Sequence, residues 1–166
     1  MDENSEEKEE KEEIFIDSNI FLYSYSTHKL ANRCSNFLLK VEKGEFKGFI
    51  NSVVVDEVFY KSIVAEIMTK KNIALKDIPS YIKSNPSILK ALKNPYKVIE
   101  DILSKENIDI LDSSKNLSKI TYFVKNFTLL PSDALIAVAC KSGGITKIAT
   151  FDKDFERVDF LEIVKP

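Results

Sequence analysis

The chain has 166 residues, 44% hydrophobic and 30% charged, the composition of one globular domain with a substantial core. Four Gly and five Pro exclude collagen-like and low-complexity classes, and the apolar run Ala134 to Cys140 is far short of the roughly 20 residues a bilayer span needs. The net charge of −2 hides a polarity, because residues 1–13 hold eight acids and two lysines and leave 22 basic against 18 acidic residues in 14–166.

A leader of that composition cannot bury apolar surface, so residues 1–13 are expected to be a disordered acidic tail ahead of a single domain over 14–166. It also lacks the basic start and apolar core of a secretory signal, which points to the cytoplasm. Ile14-Phe15-Ile16 then reads as a buried strand ending at Asp17. Leu30, Cys34, Phe37, Leu38 and Val41 form a helical stripe closed by Gly44. Lys47 to Ile50 reads as a second strand, and Asn51-Ser52 as the cap of a helix from Val53 to about Lys70. The valine run at the start of that helix leaves a strand as the competing assignment.

Pro79, Pro86 and Pro95 punctuate short helices over 72–106, an enlarged helical insertion. Ile108 to Leu111 is a third strand, followed by a helix with Leu117, Ile120, Val124 and Phe127 on one face. Pro131-Ser132-Asp133 opens a helix that is apolar almost all round, hence central and buried, and Gly143-Gly144 ends it. Lys147 to Ala149 and Leu161 to Val164 complete the strands. Such alternation predicts an α/β fold, a parallel sheet of about five strands with helices on both faces. Cys34 and Cys140 lie in helical patterns outside any metal-ligand spacing and read as reduced, buried thiols. The lone His28 reads as a surface or packing residue.

Ligands of parallel sheets gather beyond the carboxyl ends of the strands. Asp17 and Asp152 follow strands there, while Glu57 and Asp133 lie early in helices that start at the same edge. Four converging carboxylates repel one another, a conflict that a hard divalent cation such as Mg²⁺ or Mn²⁺ removes. Taken singly, each acid also reads as a helix cap or a turn residue.

The segments IFIDSNIFLY (14–23), SVVVDEVFY (52–60), LPSDALIAVAC (130–140) and IATFDKDF (148–155) resemble, in order and on the expected elements, the four motifs of PIN-domain proteins, closest to the VapC-like ribonuclease branch. The resemblance implies a three-layer α/β/α fold, with Asp17, Glu57, Asp133 and Asp152 as the catalytic and metal-holding acids. Asn19 and Thr150 match supporting polar positions, and Asp154 ranks as a turn or outer residue. Of the adjacent acids Asp56 and Glu57, only one can face a pocket, and the spacing from Ser52 selects Glu57.

The activity implied is hydrolysis of RNA by a Mg²⁺- or Mn²⁺-dependent endoribonuclease, with water as nucleophile. Members of this branch are held inactive by a small antitoxin protein, while other PIN proteins process RNA in larger assemblies. A homodimer is implied too, with helix faces near 30–41 and 53–68 as candidate contacts. Seven lysines against one acid over 70–97 offer an approach surface for phosphate: Lys70, Lys71, Lys76, Lys83, Lys90, Lys93 and Lys97. Tyr81 and Tyr96 among them read equally as stacking platforms or as half-buried core.

Two other readings compete. One is a catalytically silent PIN-like module that binds RNA or protein, against which the complete set of acids counts. The other is a receiver-like phosphoacceptor at Asp112, after strand three, disfavoured because Asp17 lacks an adjacent acidic partner.

Overall fold

A computed structural model describes residues 11–112 and 118–166. At its centre Ile14, Phe15 and Ile16 are all fully buried. Successive strand side chains point to opposite faces, so burial of all three means that both faces of the sheet are covered. The strands are β1 (Glu12–Ile16), β2 (Phe46–Asn51), β3 (Ile108–Leu111), β4 (Lys147–Ala149) and β5 (Glu162–Val164). All pair in parallel in the order β3-β2-β1-β4-β5. Gly48 pairs with Ile14 and is closely packed, because a Cβ would come within 2.9 Å of the Ile16 side chain.

Between the strands run α1 (Ser18–Ser24), α2 (Ala31–Glu42), α3 (Ser52–Lys71), α4 (Ile78–Ser84), α5 (Ile88–Ala91), α6 (Asn94–Ser104), α7 (Ile120–Phe127) and α8 (Pro131–Gly143). Among the described residues no single helix is long and apolar enough to cross a membrane. Helix wins over strand at Val53–Val55, because the Asn51 side chain accepts from Val54 N–H (3.2 Å) as N-cap, and Val54 and Val58, one turn apart, are both fully buried. As expected, α8 is central, with Ala134 and Ile136–Cys140 buried, and it ends on Gly144 in the left-handed conformation. Ile120, Val124 and Phe127 pack on the core, whereas Leu117 lies outside the described residues.

Three expectations are corrected or extended. β1 begins at Glu12, inside the segment assigned to the acidic leader, since its backbone pairs with Phe46 and Lys47 and Lys147 neutralises Glu12. The first ten residues lie outside the described residues. The chain between Asp17 and Leu30 folds an unforeseen helix, α1, whose Ile20 and Phe21 join the core. Finally, β3 is an edge strand separated from β1 by β2, which places Asp112 away from Asp17 and removes the receiver-like arrangement.

The second half of α3 carries a smaller core of Val64, Ile67, Ile78 and Leu92, on which α4 and the following turns pack. Glu66, buried on α3, accepts from Lys93 N–H and from Asn94 N–H (2.9 Å) and pairs with Lys70, anchoring the start of α6. Burial pushes its carboxyl up, but Lys70 and the two amides outweigh that and hold it below its ordinary value. This contact, together with the packing of Ile102 in the main core and of Ile78 and Leu92 on α3, fastens the helical segment 72–106 to the sheet.

Candidate active site

Because all five strands are parallel, the loops after β1, β2 and β4 and the starts of the helices they feed share one edge. A pocket of about 310 Å³ opens there, lined by Asp17, Ser18, Asn19, Tyr23, Glu57, Lys61, Asp133, Phe151 and Asp152. The four acids singled out in the sequence therefore do meet. Glu57, rather than its exposed neighbour Asp56, is the one that faces inward.

Asp17 is 5% exposed and ends β1, where its N–H donates to Ala149 O (3.1 Å), locking it beside β4. As N-cap of α1 it accepts from Ser18 N–H through Oδ1 (2.7 Å). Oδ2 accepts from Asn19 Nδ2 (2.5 Å) and Thr150 Oγ1 (2.6 Å). The buried Thr150 hydroxyl is fully used, donating to Asp17 while accepting from Asn19 Nδ2 (3.0 Å) and Asp152 N–H (2.9 Å). Asn19 Oδ1 in turn accepts from Phe151 N–H (3.3 Å). Asn19 and Thr150 thus brace Asp17 and the turn that carries Asp152.

Burial pushes the Asp17 carboxyl up to about 6, against the pull of its hydrogen bonds, and the charges of Glu57 and Asp152 push the same way. Asp133, in the first turn of α8, is likewise raised to about 6, by burial and then by Asp152, Asp17, Asp154 and Glu57. The helix N-terminus does not offset this, since its stabilisation of an anion is about 1 kcal/mol or less. Carboxylate oxygens of Asp133, Asp152 and Asp154 lie within 4.8 Å of one another. An all-oxygen set of three carboxylates, of which Asp154 pairs with Arg157, keeps a net negative charge and fits a hard divalent cation. Asp154 stands at the edge of that group, as a turn residue that does not line the pocket: its N–H donates to Asp152 Oδ1 (2.8 Å) and its carboxylate pairs with Arg157.

A family model for the PIN domain matches residues 14–161. The chain belongs to the PIN-domain family. It is 38% identical over 159 residues, 95% of this chain and 97% of the relative, to a protein named Ribonuclease VapC2 of Methanocaldococcus jannaschii. Over 158 residues it is 29% identical to Ribonuclease VapC6 of the same organism, covering 92% of this chain and 96% of that one. The crystal structure of VapBC2 from Rickettsia felis bound to a DNA fragment from their promoter superposes over 92% of this chain and 97% of that chain, with a TM-score of 0.59 and 18% identity. At that identity the likeness concerns the fold.

This PIN domain also holds site residues that sequence reasoning missed. Ser18 Oγ donates to Glu57 Oε2 (2.8 Å), and Lys61 Nζ pairs with Glu57 Oε1 (2.5 Å). The Glu57–Lys61 spacing of four on a helix was the available signal. Arg157 donates to Phe127 O (2.9 Å), Thr128 O (2.8 Å) and Asp154 Oδ1 (3.0 Å), tying the end of α7 to the acidic turn. Of the lysines over 70–97, Lys70 is engaged by Glu66, while Lys71, Lys76, Lys83, Lys90, Lys93 and Lys97 are all exposed. Tyr81 packs on the smaller core, and Tyr96 sets its ring edge against Phe59 and donates its hydroxyl to Leu89 O (2.7 Å).

Proposed function

We propose that this PIN domain is an endoribonuclease of the VapC type that hydrolyses RNA with Mg²⁺ or Mn²⁺ held by its pocket acids. The observation that carries the reading is the convergence of Asp17, Glu57, Asp133 and Asp152, from four different elements, on one pocket. Asp17, Asp133 and Asp152 would hold the ion, with Glu57 and Asp154 at its margins. Bound there, a divalent cation supplies an activated water and neutralises the scissile phosphate.

The protein's own groups do the rest. Thr150, Asn19 and Ser18 fix the carboxylates before substrate arrives, so little reorganisation accompanies reaction. A carboxylate of the set accepts the proton of the attacking water. Lys61, the cation among the residues that line the pocket, would meet an incoming phosphate. Exposed Lys71, Lys83, Lys90, Lys93 and Lys97, with Lys70 beside Glu66, provide the long-range attraction for RNA across the α3–α6 side.

A cytoplasmic toxin restrained by a small antitoxin protein fits the kinship with VapC ribonucleases over nearly the whole length. A homodimer through α2 and α3 is supported by exposed Leu39, Tyr60 and Met68 on those helices. A silent binding module is the weaker reading, since Asp17, Asp133 and Asp152 converge in a pocket whose Lys61 is already paired with Glu57, and a bound cation would relieve their repulsion.

Purified protein incubated with structured RNAs, in Mn²⁺ and in chelator, tests the proposal. Cleavage in Mn²⁺ that is lost in chelator and in Asp133→Asn is expected. Cleavage of equal rate in Asp133→Asn removes the acids from the mechanism.

A further inference from the structure

The core of this fold is filled by rings that never see solvent: Phe15, Phe21 and Phe155 are each at most 1% exposed. Two other rings behave differently. Tyr23, on α1, and Phe151, after β4, are only partly buried and line the acid pocket itself. Their ring centroids are 5.7 Å apart at an interplanar angle of 65°, so they form two walls of a corner beside Asp17 and Asp152.

Each ring is held by a neighbour. His28 stacks on Tyr23, with centroids 4.4 Å apart and planes at 17°, and its Nδ1 accepts from Leu30 N–H (3.2 Å), which fixes the imidazole. The Arg33 guanidinium lies 5.8 Å from the centre of the Phe151 ring, and Phe151 N–H is bonded to Asn19. Rings braced in this way have little freedom to lose when a flat ligand arrives. Lys61 also lines the pocket, so aromatic and cationic groups both border the carboxylates.

We infer that Tyr23 and Phe151 form a nucleobase subsite beside the acid pocket, which seats an unpaired base adjoining the phosphodiester that is cut. The inference deepens the ribonuclease reading and rests on it. A phosphate at the acids places its neighbouring nucleoside within one backbone repeat, and the apolar rings at that distance offer a π-face where every other lining group is polar or charged. A base can reach such a corner only when it is out of the helical stack, so the bond cut lies in a single strand or loop. Arg33, over the Phe151 ring, adds positive charge near the corner.

The test crosses protein variants with substrate variants in the full chain. A short single-stranded oligoribonucleotide is cleaved in Mn²⁺ by wild type, Tyr23→Leu and Phe151→Leu, with an intact or an abasic ribose next to the mapped cut. Loss of the base is expected to lower kcat/KM of wild type about tenfold, the scale of one base–aromatic stack. The leucine variants are expected to lose a similar factor on the intact oligomer and little more on the abasic one, while calorimetric uptake of Mn²⁺ stays. Tyr23→Phe keeps the ring and with it most of the binding.

Indifference of wild type to the missing base overturns the inference, and so does additivity of the two losses. If a leucine variant fails to fold, the abasic comparison on wild type decides alone. Cleavage by wild type with either overturning result leaves the ribonuclease reading intact, whereas no cleavage of any RNA in Mn²⁺ sinks both.

Discussion

Replacing Asp17 by Asn should make the metal-free protein more stable while destroying its response to metal. In the fold, the Asp17 carboxyl is raised from 3.8 to about 6, chiefly by burial. At about 1.36 kcal/mol per unit, keeping it ionised above pH 6.5 costs roughly 3 kcal/mol relative to the unfolded chain. Asparagine removes the charge and keeps one oxygen to accept from Ser18 N–H. Its amide hydrogens, however, face Asn19 Nδ2 and the Thr150 hydroxyl, both donors to Asp17, and that mismatch returns about 1–2 kcal/mol. A net gain near 1–2 kcal/mol remains, about 2–8 °C in Tm for a chain of this size.

The sign with pH follows from the direction of the shift. A carboxyl raised in the native state binds more protons there than in the unfolded chain between about pH 4 and 6. Stability from this group is therefore highest at acid pH and falls as pH rises through that window. The advantage of the variant should be largest at pH 7.5 and shrink at pH 5. Thermal melts in chelator at the two pH values measure it, and addition of Mn²⁺ should raise the Tm of wild type but not of the variant. A variant that melts below wild type at pH 7.5, with a gap that persists at pH 5, refutes the account of Asp17 as a charge held against its preference.

Glu66→Ala leaves the amides of Lys93 and Asn94 without their acceptor and should cost about 2–3 kcal/mol, with hydrogen-exchange protection lost in α6 and kept in β1. Arg157→Met should weaken Mn²⁺ binding about tenfold in titration calorimetry, because Asp154 loses the guanidinium that orients it. Lys83→Gln combined with Lys90→Gln should reduce the slope of log affinity against log salt by about 0.7 per lysine in RNA-binding titrations, without moving the cut site.

The sheet and the acids could be read from the chain because their signals are local. Ile14-Phe15-Ile16 is too short and too apolar for anything but a buried strand, and an acid directly after such a strand can only sit at its carboxyl edge. Parallel topology then does the work of bringing Asp17, Glu57, Asp133 and Asp152 together. α1 escaped notice because seven residues hold too few turns to display a period, and its buried pair Ile20 and Phe21 is consecutive. The start of β1 escaped because Glu12 and Glu13 enter the ladder through backbone atoms, to which side-chain chemistry is indifferent.

The residues that tune the site were hidden for a related reason. Arg157 spends two of its three bonds on the carbonyls of Phe127 and Thr128, and a carbonyl leaves no mark in a sequence. Lys70 looked like one more surface charge because the burial of its partner Glu66 depends on the packing of α4 to α6 against α3. Tyr23 and Phe151 resembled any other apolar residues of their segments, and only the pocket separates them from the rings of the core. Charges that must meet a cation announce themselves by type and topology, whereas groups that place those charges, or a base beside them, are defined by distances across the fold. The Asp17→Asn melt addresses the first kind and the Arg157→Met titration the second. If the first behaves as argued and the second leaves Mn²⁺ affinity unchanged, the acids form the site without the bracing assigned to Arg157, and the turn Asp152–Asp154 is rigid on its own.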